Sequence, residues 1–153
     1  MNVFEEFKQV VRELEEQKVR YAIVGGVAMA FYTEPRFTQD IDLLVSSEDY
    51  AKTKGILEKE GYIETLLPWT FSNVAIELHR FLKVVSPDDE MMIDILVAND
   101  EEVRRIIQDS VGAESEEGRM MVANKKDLIR LKKARDSKQD QADIEKLEDD
   151  KNR

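Results

Sequence analysis

Two aspartates, Asp40 and Asp42, stand two residues apart in the run DIDLLV at 40–45. Its alternating, then apolar, pattern predicts a central strand. Side chains alternate across a strand, so both carboxylates project from one face, about 7 Å apart. Ile41, Leu43 and Val45 take the other face, toward the core. Carboxylates this close raise each other's pKa unless a cation sits between them. Oxygen ligands of this kind suit a hard divalent ion, Mg²⁺ or Mn²⁺, with substrate phosphate oxygens completing the shell. A third acid, Asp94, lies inside the apolar run MMIDILV at 91–97. Charge within a core strand is costly unless paired or coordinated, which makes Asp94 the natural third ligand on a neighbouring strand. Three such acids can hold two ions, one on nucleotide phosphates and one lowering the pKa of an attacking hydroxyl.

An Asp-x-Asp pair can also simply end a strand at the solvent boundary. Gly25-Gly26 strengthens the chemical reading. The pair follows the apolar run 21–24 and precedes the apolar run 27–32. Glycines at a strand-to-helix junction let backbone N–H groups approach a phosphate closely, although a tight turn alone would also use them. Neither G-x-x-x-x-G-K-[ST] nor G-x-G-x-x-G after a strand occurs. The net charge is −10, but residues 119–138 hold eight basic residues against two acids, a local +6 that leaves −16 on the rest. That segment is either a solvated helix face or a positive wall facing a polyphosphate. His79 is the only histidine and fits a structural role better than a catalytic one. Trp69, Phe71 and Phe81 suit core packing better than base stacking.

These residues need elements to hold them. Apolar residues at helical spacing predict a helix over 3–14. A buried strand at 21–24, a short helix at 27–32 and a loop at 33–39 follow. After the strand at 40–45, Ser46 and Ser47 begin a helix that Gly61 stops, and 62–66 reads as a third strand. Residues 78–85 and 91–97 form a hairpin with its turn at 86–90. Asn124 with Asp127, and Ser137 with Asp140, cap two final helices. The fold class is α/β (α+β), a mixed β-sheet with helices packed against it, in one domain over 1–150 with C-terminal helices at about 124–149. Cysteine is absent from the 153 residues, which excludes disulfides and thiolate chemistry. No apolar run approaches the ~18–20 residues of a membrane span, and the N-terminus lacks a signal-peptide core. A cytoplasmic protein away from the membrane is expected.

Taken together, IVGG at 23–26, DIDLLV at 40–45 and MIDILV at 92–97 resemble the nucleotidyltransferase superfamily. The stretch GGVAMAFYTEPRFTQDIDLLV at 25–45 looks like the branch with Arg-x-Thr-x-Asp-x-Asp before the strand, which includes AbiEii-type toxins. The stretch 127–147, with a Lys and an Arg on one helix before an Asp-rich helix start, is similar to that branch too. The resemblance implies a nucleotidyltransferase-like sheet and assigns roles. Gly25 and Gly26 would hold the triphosphate. Asp40 and Asp42 would bind the metals, and Asp94 would help bind the second and activate the acceptor. Arg36 and Lys132 would contact phosphate or stabilise the leaving pyrophosphate, although Arg36 equally suits a loop salt bridge, and Thr38 would order the loop. Two positions depart from the commonest pattern: Ala30-Phe31-Tyr32 replaces a late Gly of the short helix, and Gln39 replaces a Ser.

The expected function is transfer of a nucleoside monophosphate from an NTP to a hydroxyl on RNA (tRNA included), protein or a small molecule, with release of pyrophosphate. The alternative is a non-catalytic nucleotide-binding protein, or the partner of an antitoxin, on the same fold. A sugar-nucleotide transferase would use Asp-x-Asp but leave Gly25-Gly26 unexplained.

Overall fold

The computed structural model describes residues 3–33, 40–65, 68–70, 74–115 and 118–149. Helix α1 (Val3–Glu16) buries Phe7, Val10, Val11 and Leu14, spaced i, i+3, i+4, i+7. Strand β1 (Tyr21–Val24) is buried throughout and runs into the short helix α2 (Gly25–Met29). Strand β2 (Asp40–Ser46) leads through a 3-10 turn (Ser47–Asp49) to helix α3 (Tyr50–Lys59). Two short strands, β3 (Ile63–Glu64) and β4 (Trp69–Thr70), precede a long hairpin of β5 (Ile76–Ser86) and β6 (Asp89–Ala98). Helix α4 (Glu101–Gln108), a second hairpin of β7 (Val111–Ser115) and β8 (Gly118–Val122), and helices α5 (Lys125–Arg135) and α6 (Lys138–Asp149) complete the chain.

The strands form one mixed sheet in the order β3-β5-β6-β2-β1-β8-β7, with β4 also paired to β5. Strand β2 is central, parallel to β6 and antiparallel to β1. Such a strand must be apolar on both faces, and Ile41, Leu43, Leu44 and Val45 are all buried. Helices α1 and α3 lie on the face of Phe81 and Ile93. There Glu6 of α1 takes the Lys83 ammonium at 3.0 Å, and the Tyr50 hydroxyl of α3 meets His79 Nδ1 at 2.8 Å. Helix α5 covers part of the opposite face, where Leu128 and Leu131 approach Leu78 and Leu96.

Both predicted caps form. Asn124 Oδ1 accepts from the Asp127 N–H at 2.8 Å. Ser137 Oγ accepts from the Asp140 N–H at 3.0 Å, while the Asp140 carboxylate accepts from the Ser137 N–H, also at 3.0 Å, a reciprocal box. Other expectations shift. The short helix starts at Gly25 rather than residue 27. The hairpin turn shrinks because pairing continues to Ser86 and Asp89. The strand expected at 62–66 is cut to Ile63–Glu64, because the buried Tyr62 instead closes α3 with its N–H on Leu57 O at 2.9 Å. Helix α4 and the β7–β8 hairpin had no counterpart in the expected order.

Candidate active site

The parallel ladder between β2 and β6 places Asp42 opposite Asp94, with Asp40 opposite Met92. Side-chain alternation therefore puts all three carboxylates on one face of the sheet. Neighbouring strands lie about 4.8 Å apart, so Asp42 and Asp94 are side by side. Asp42 and Asp94 are 9% and 5% exposed, whereas Asp40, at the strand's start, is exposed.

Gly25 explains why the glycines stand where they do. Its φ is +69°, and a Cβ at this position would sit 1.8 Å from Asp42 Oδ2. Only glycine lets the β1–α2 junction pass over this carboxylate. Gly26 follows in the first turn of α2, half-buried.

Helix α5 supplies positive charge. A cavity of about 30 Å³ is lined by Gly25, Asp42, Lys132, Arg135 and Asp140 over a floor of Val24, Leu78, Leu96, Leu128 and Leu131. That is room for an ion or a water rather than a base. Lys132 is 3% exposed, and its ammonium donates to Asp143 Oδ2 at 2.9 Å, with Asp140 Oδ1 at 3.9 Å. Arg135 forks onto Asp140 through Nε and Nη2, both at 2.7 Å. Lys125, Lys126, Arg130 and Lys133 line a different depression, with Ile129. The two readings of the basic segment divide it: Lys132 and Arg135 reach the Asp42 cavity, and these four bases face elsewhere.

Burial pushes the Asp42 carboxyl up to about 7, and the neighbouring Asp94 charge adds to it. Arg135 opposes the rise, Asp40 augments it, and Lys132 opposes it more weakly. A carboxylate in this position gains from any cation nearby.

Arg80 stands opposite Asp94 on β5 and closes on it as a fork, Nε to Oδ1 at 2.9 Å and Nη2 to Oδ2 at 3.1 Å. Sequence reasoning missed Arg80, and it counted Arg135 only among the eight bases of residues 119–138. The available signal was Arg80's place between Leu78 and Leu82 on one strand face, a charge in an otherwise apolar stripe. Among the described residues, no three carboxylates close into a ready metal cage. The donor set still fits a hard divalent ion. Asp40, Asp42 and Asp94 offer only oxygen on one face, and the raised Asp42 marks where positive charge is wanted.

Arg36 and Thr38 lie outside the described residues, as do Phe71 and the side chain of Trp69. Phe81 is fully buried in the core. His79 lies on the opposite face, its Nδ1 at 2.9 Å from Glu64 and its Nε2 at 2.5 Å from Glu77, far from this chemistry by sheet parity.

The sheet is of the nucleotidyltransferase kind, and comparison with known proteins gives the class. Residues 1–142 match the family described as "Uncharacterised nucleotidyltransferase", and the chain belongs to that family. None of the curated proteins matches the sequence. The lincosamide antibiotic adenylyltransferase LnuA, solved with lincomycin, is similar in fold. Its TM-score is 0.66 at 15% identity, over 95% of this chain and 96% of that one. The antibiotic-resistance factor ANT(2'')-Ia gives 0.65 at 15% identity, over 94% and 81%. A putative nucleotidyltransferase from Thermotoga maritima gives 0.54 at 16% identity, over 84% and 86%. At such identities the likeness is one of fold. Among the described residues no helix is long and apolar enough to cross a membrane.

Proposed function

We propose that this chain transfers a nucleoside monophosphate from an NTP to the hydroxyl of an acceptor, releasing pyrophosphate. The observation that carries the reading is the Asp42–Asp94 pair, held in register and roofed by a junction that tolerates only glycine. Asp40, Asp42 and Asp94 would hold Mg²⁺ or Mn²⁺, which when bound supplies charge for the phosphates and acidity for the hydroxyl. The acceptor oxygen attacks the α-phosphorus, the bond from that phosphorus to the bridging oxygen breaks, and pyrophosphate leaves. Asp94 takes the hydroxyl proton. Arg135 and Lys132 place fixed positive charge beside Asp42, suited to a polyphosphate. Gly25 and Gly26 give the triphosphate a close backbone approach, while Arg36 is assigned to phosphate and Thr38 to loop order by resemblance alone.

We assign the acceptor to the small-molecule class. The −16 carried outside residues 119–138 disfavours an RNA polyanion. A sheet row leads to the site through Ile63, Leu82 and Met92 and ends at Asp40. Ile63 is 70% exposed, and Leu82 and Met92 are partly exposed, so the row offers an apolar platform. Two fold neighbours carry antibiotic acceptors in their names, which agrees with this class.

The test is incubation with α-labelled NTPs, Mg²⁺ or Mn²⁺, and separate pools of tRNA, protein and hydroxylated small molecules. Label should enter the small-molecule pool and vanish in Asp40→Asn/Asp42→Asn. No transfer above that control in any pool would sink the reading. One observation favours a second reading, a non-catalytic nucleotide binder or antitoxin partner: Arg80 closes on both Asp94 oxygens. Calorimetric NTP binding without turnover would select it. Cytoplasmic residence belongs to the same proposal, since NTPs are abundant there.

A further inference from the structure

Asp94 is nearly buried in the middle of a sheet, and its carboxylate is held by a guanidinium reaching across from the next strand. The two parallel contacts use the planar fork that Arg has and Lys lacks. Arg80 also lies in the field of Asp40 and Asp42, so it answers the whole acidic cluster rather than one member. Its side chain is 30% exposed against 7% for Asp94, which places Arg80 at the rim and Asp94 beneath it.

We infer that Arg80 is the resident counter-ion of the cluster and couples metal binding to nucleotide binding. The inference rests on the proposed transferase site. A divalent ion reaching Asp94 either displaces a guanidinium contact or shares an oxygen that already accepts one, beside a fixed positive charge. Either way the ion gives up a charge-assisted fork or meets the Arg80 charge at close range, and both weaken its binding. An arriving triphosphate removes that cost, because its oxygens accept the donors that Asp94 releases. Metal therefore binds poorly to the free protein and well to the nucleotide-loaded one. The coupling is reciprocal, so metal raises nucleotide affinity by the same factor. Arg80 is a positioning residue in this account, acting on the reaction through Asp94.

The experiment is a Mn²⁺ titration followed by loss of the free-ion paramagnetic resonance signal, with and without a non-hydrolysable NTP analogue, each read against the same titration without protein. Wild type, Arg80→Gln, Arg80→Lys and Asp94→Asn are compared, each checked by its melting curve. Arg80→Gln should bind Mn²⁺ roughly ten-fold or more tightly than wild type when no nucleotide is present, the value of a lost charge-assisted fork. The analogue should tighten wild type far more than it tightens Arg80→Gln. Arg80→Lys, with one point contact in place of two, should fall between and serves if Gln unfolds the site. Equal Mn²⁺ affinities of wild type and both variants without nucleotide would overturn the inference while leaving the transferase site intact. No Mn²⁺ binding by wild type even with the analogue would overturn the metal site itself, and the inference with it.

Discussion

Asp42 and Asp94 are direct partners in the parallel ladder between the two central strands, their carboxylates side by side on one face. The rest of the site is arranged around that pair. Gly25 roofs Asp42, Arg80 braces Asp94, and Arg135 with Lys132 brings opposite charge from α5, well beyond both aspartates in the sequence.

Gly25→Ala should be among the most damaging single substitutions. Its Cβ would overlap Asp42, and a left-handed backbone costs an alanine about 1 kcal/mol or more. Thermal melting should drop by several degrees, and NTP binding measured by calorimetry should be lost. Gly55→Ala is the internal control, since nothing lies within 4 Å of its added Cβ inside α3. That variant should gain about 0.5–1 kcal/mol of stability and bind NTP normally.

Asp140 makes a pH prediction. Burial pushes its carboxyl up, but bonds from the Arg135 fork and from Ser137 outweigh this and leave it below the ordinary carboxylate range. The folded value therefore lies under the unfolded one. Its stabilisation is present above the unfolded pKa, about 4, and is lost as pH falls through the folded pKa. Asp140→Asn should cost about 2 kcal/mol at pH 7. Melting curves across pH should show the gap to wild type narrowing as pH falls below about 4.

The exposed end of the platform should affect the acceptor and little else. Ile63→Lys alters a surface side chain on the edge strand, so stability should change by less than about 0.5 kcal/mol. Steady-state kinetics should show a several-fold rise in the acceptor KM with the NTP KM unchanged.

Removal of Arg135 separates charge from architecture. Arg135→Gln loses the fork to Asp140 and the charge that opposes the rise of Asp42. Affinity for NTP, read by calorimetry, should fall by about ten-fold, the scale of one charge-assisted contact. A variant that binds NTP as well as wild type would remove Arg135 from the site.

Much of this site was legible before the structure because it rests on local patterns. Asp40-x-Asp42 and Asp94 announced themselves as charges in apolar strands, and both helix caps followed from three-residue spacing. Arg80 did not, because its meaning depends on the β5–β6 register, which places it opposite Asp94. Arg135 was visible as a base, but only the packing of α5 distinguishes it and Lys132 from the bases on the outer face. Helix α4 was missed although Asp100 caps it on the Val103 N–H at 2.9 Å, since its eight residues are too few to outweigh the charged surroundings. The β7–β8 hairpin escaped because it carries two glycines and little alternation.

The central claim is that Asp40, Asp42 and Asp94 form a nucleotidyl-transfer centre. The most direct measurement follows α-labelled and γ-labelled NTP in parallel with a small-molecule acceptor pool, in wild type and in Asp42→Asn. The account predicts α-label on the acceptor and γ-label in pyrophosphate, both abolished by the substitution. Gamma-label released as orthophosphate with no α-label on any acceptor, or transfer that survives Asp42→Asn, would contradict it.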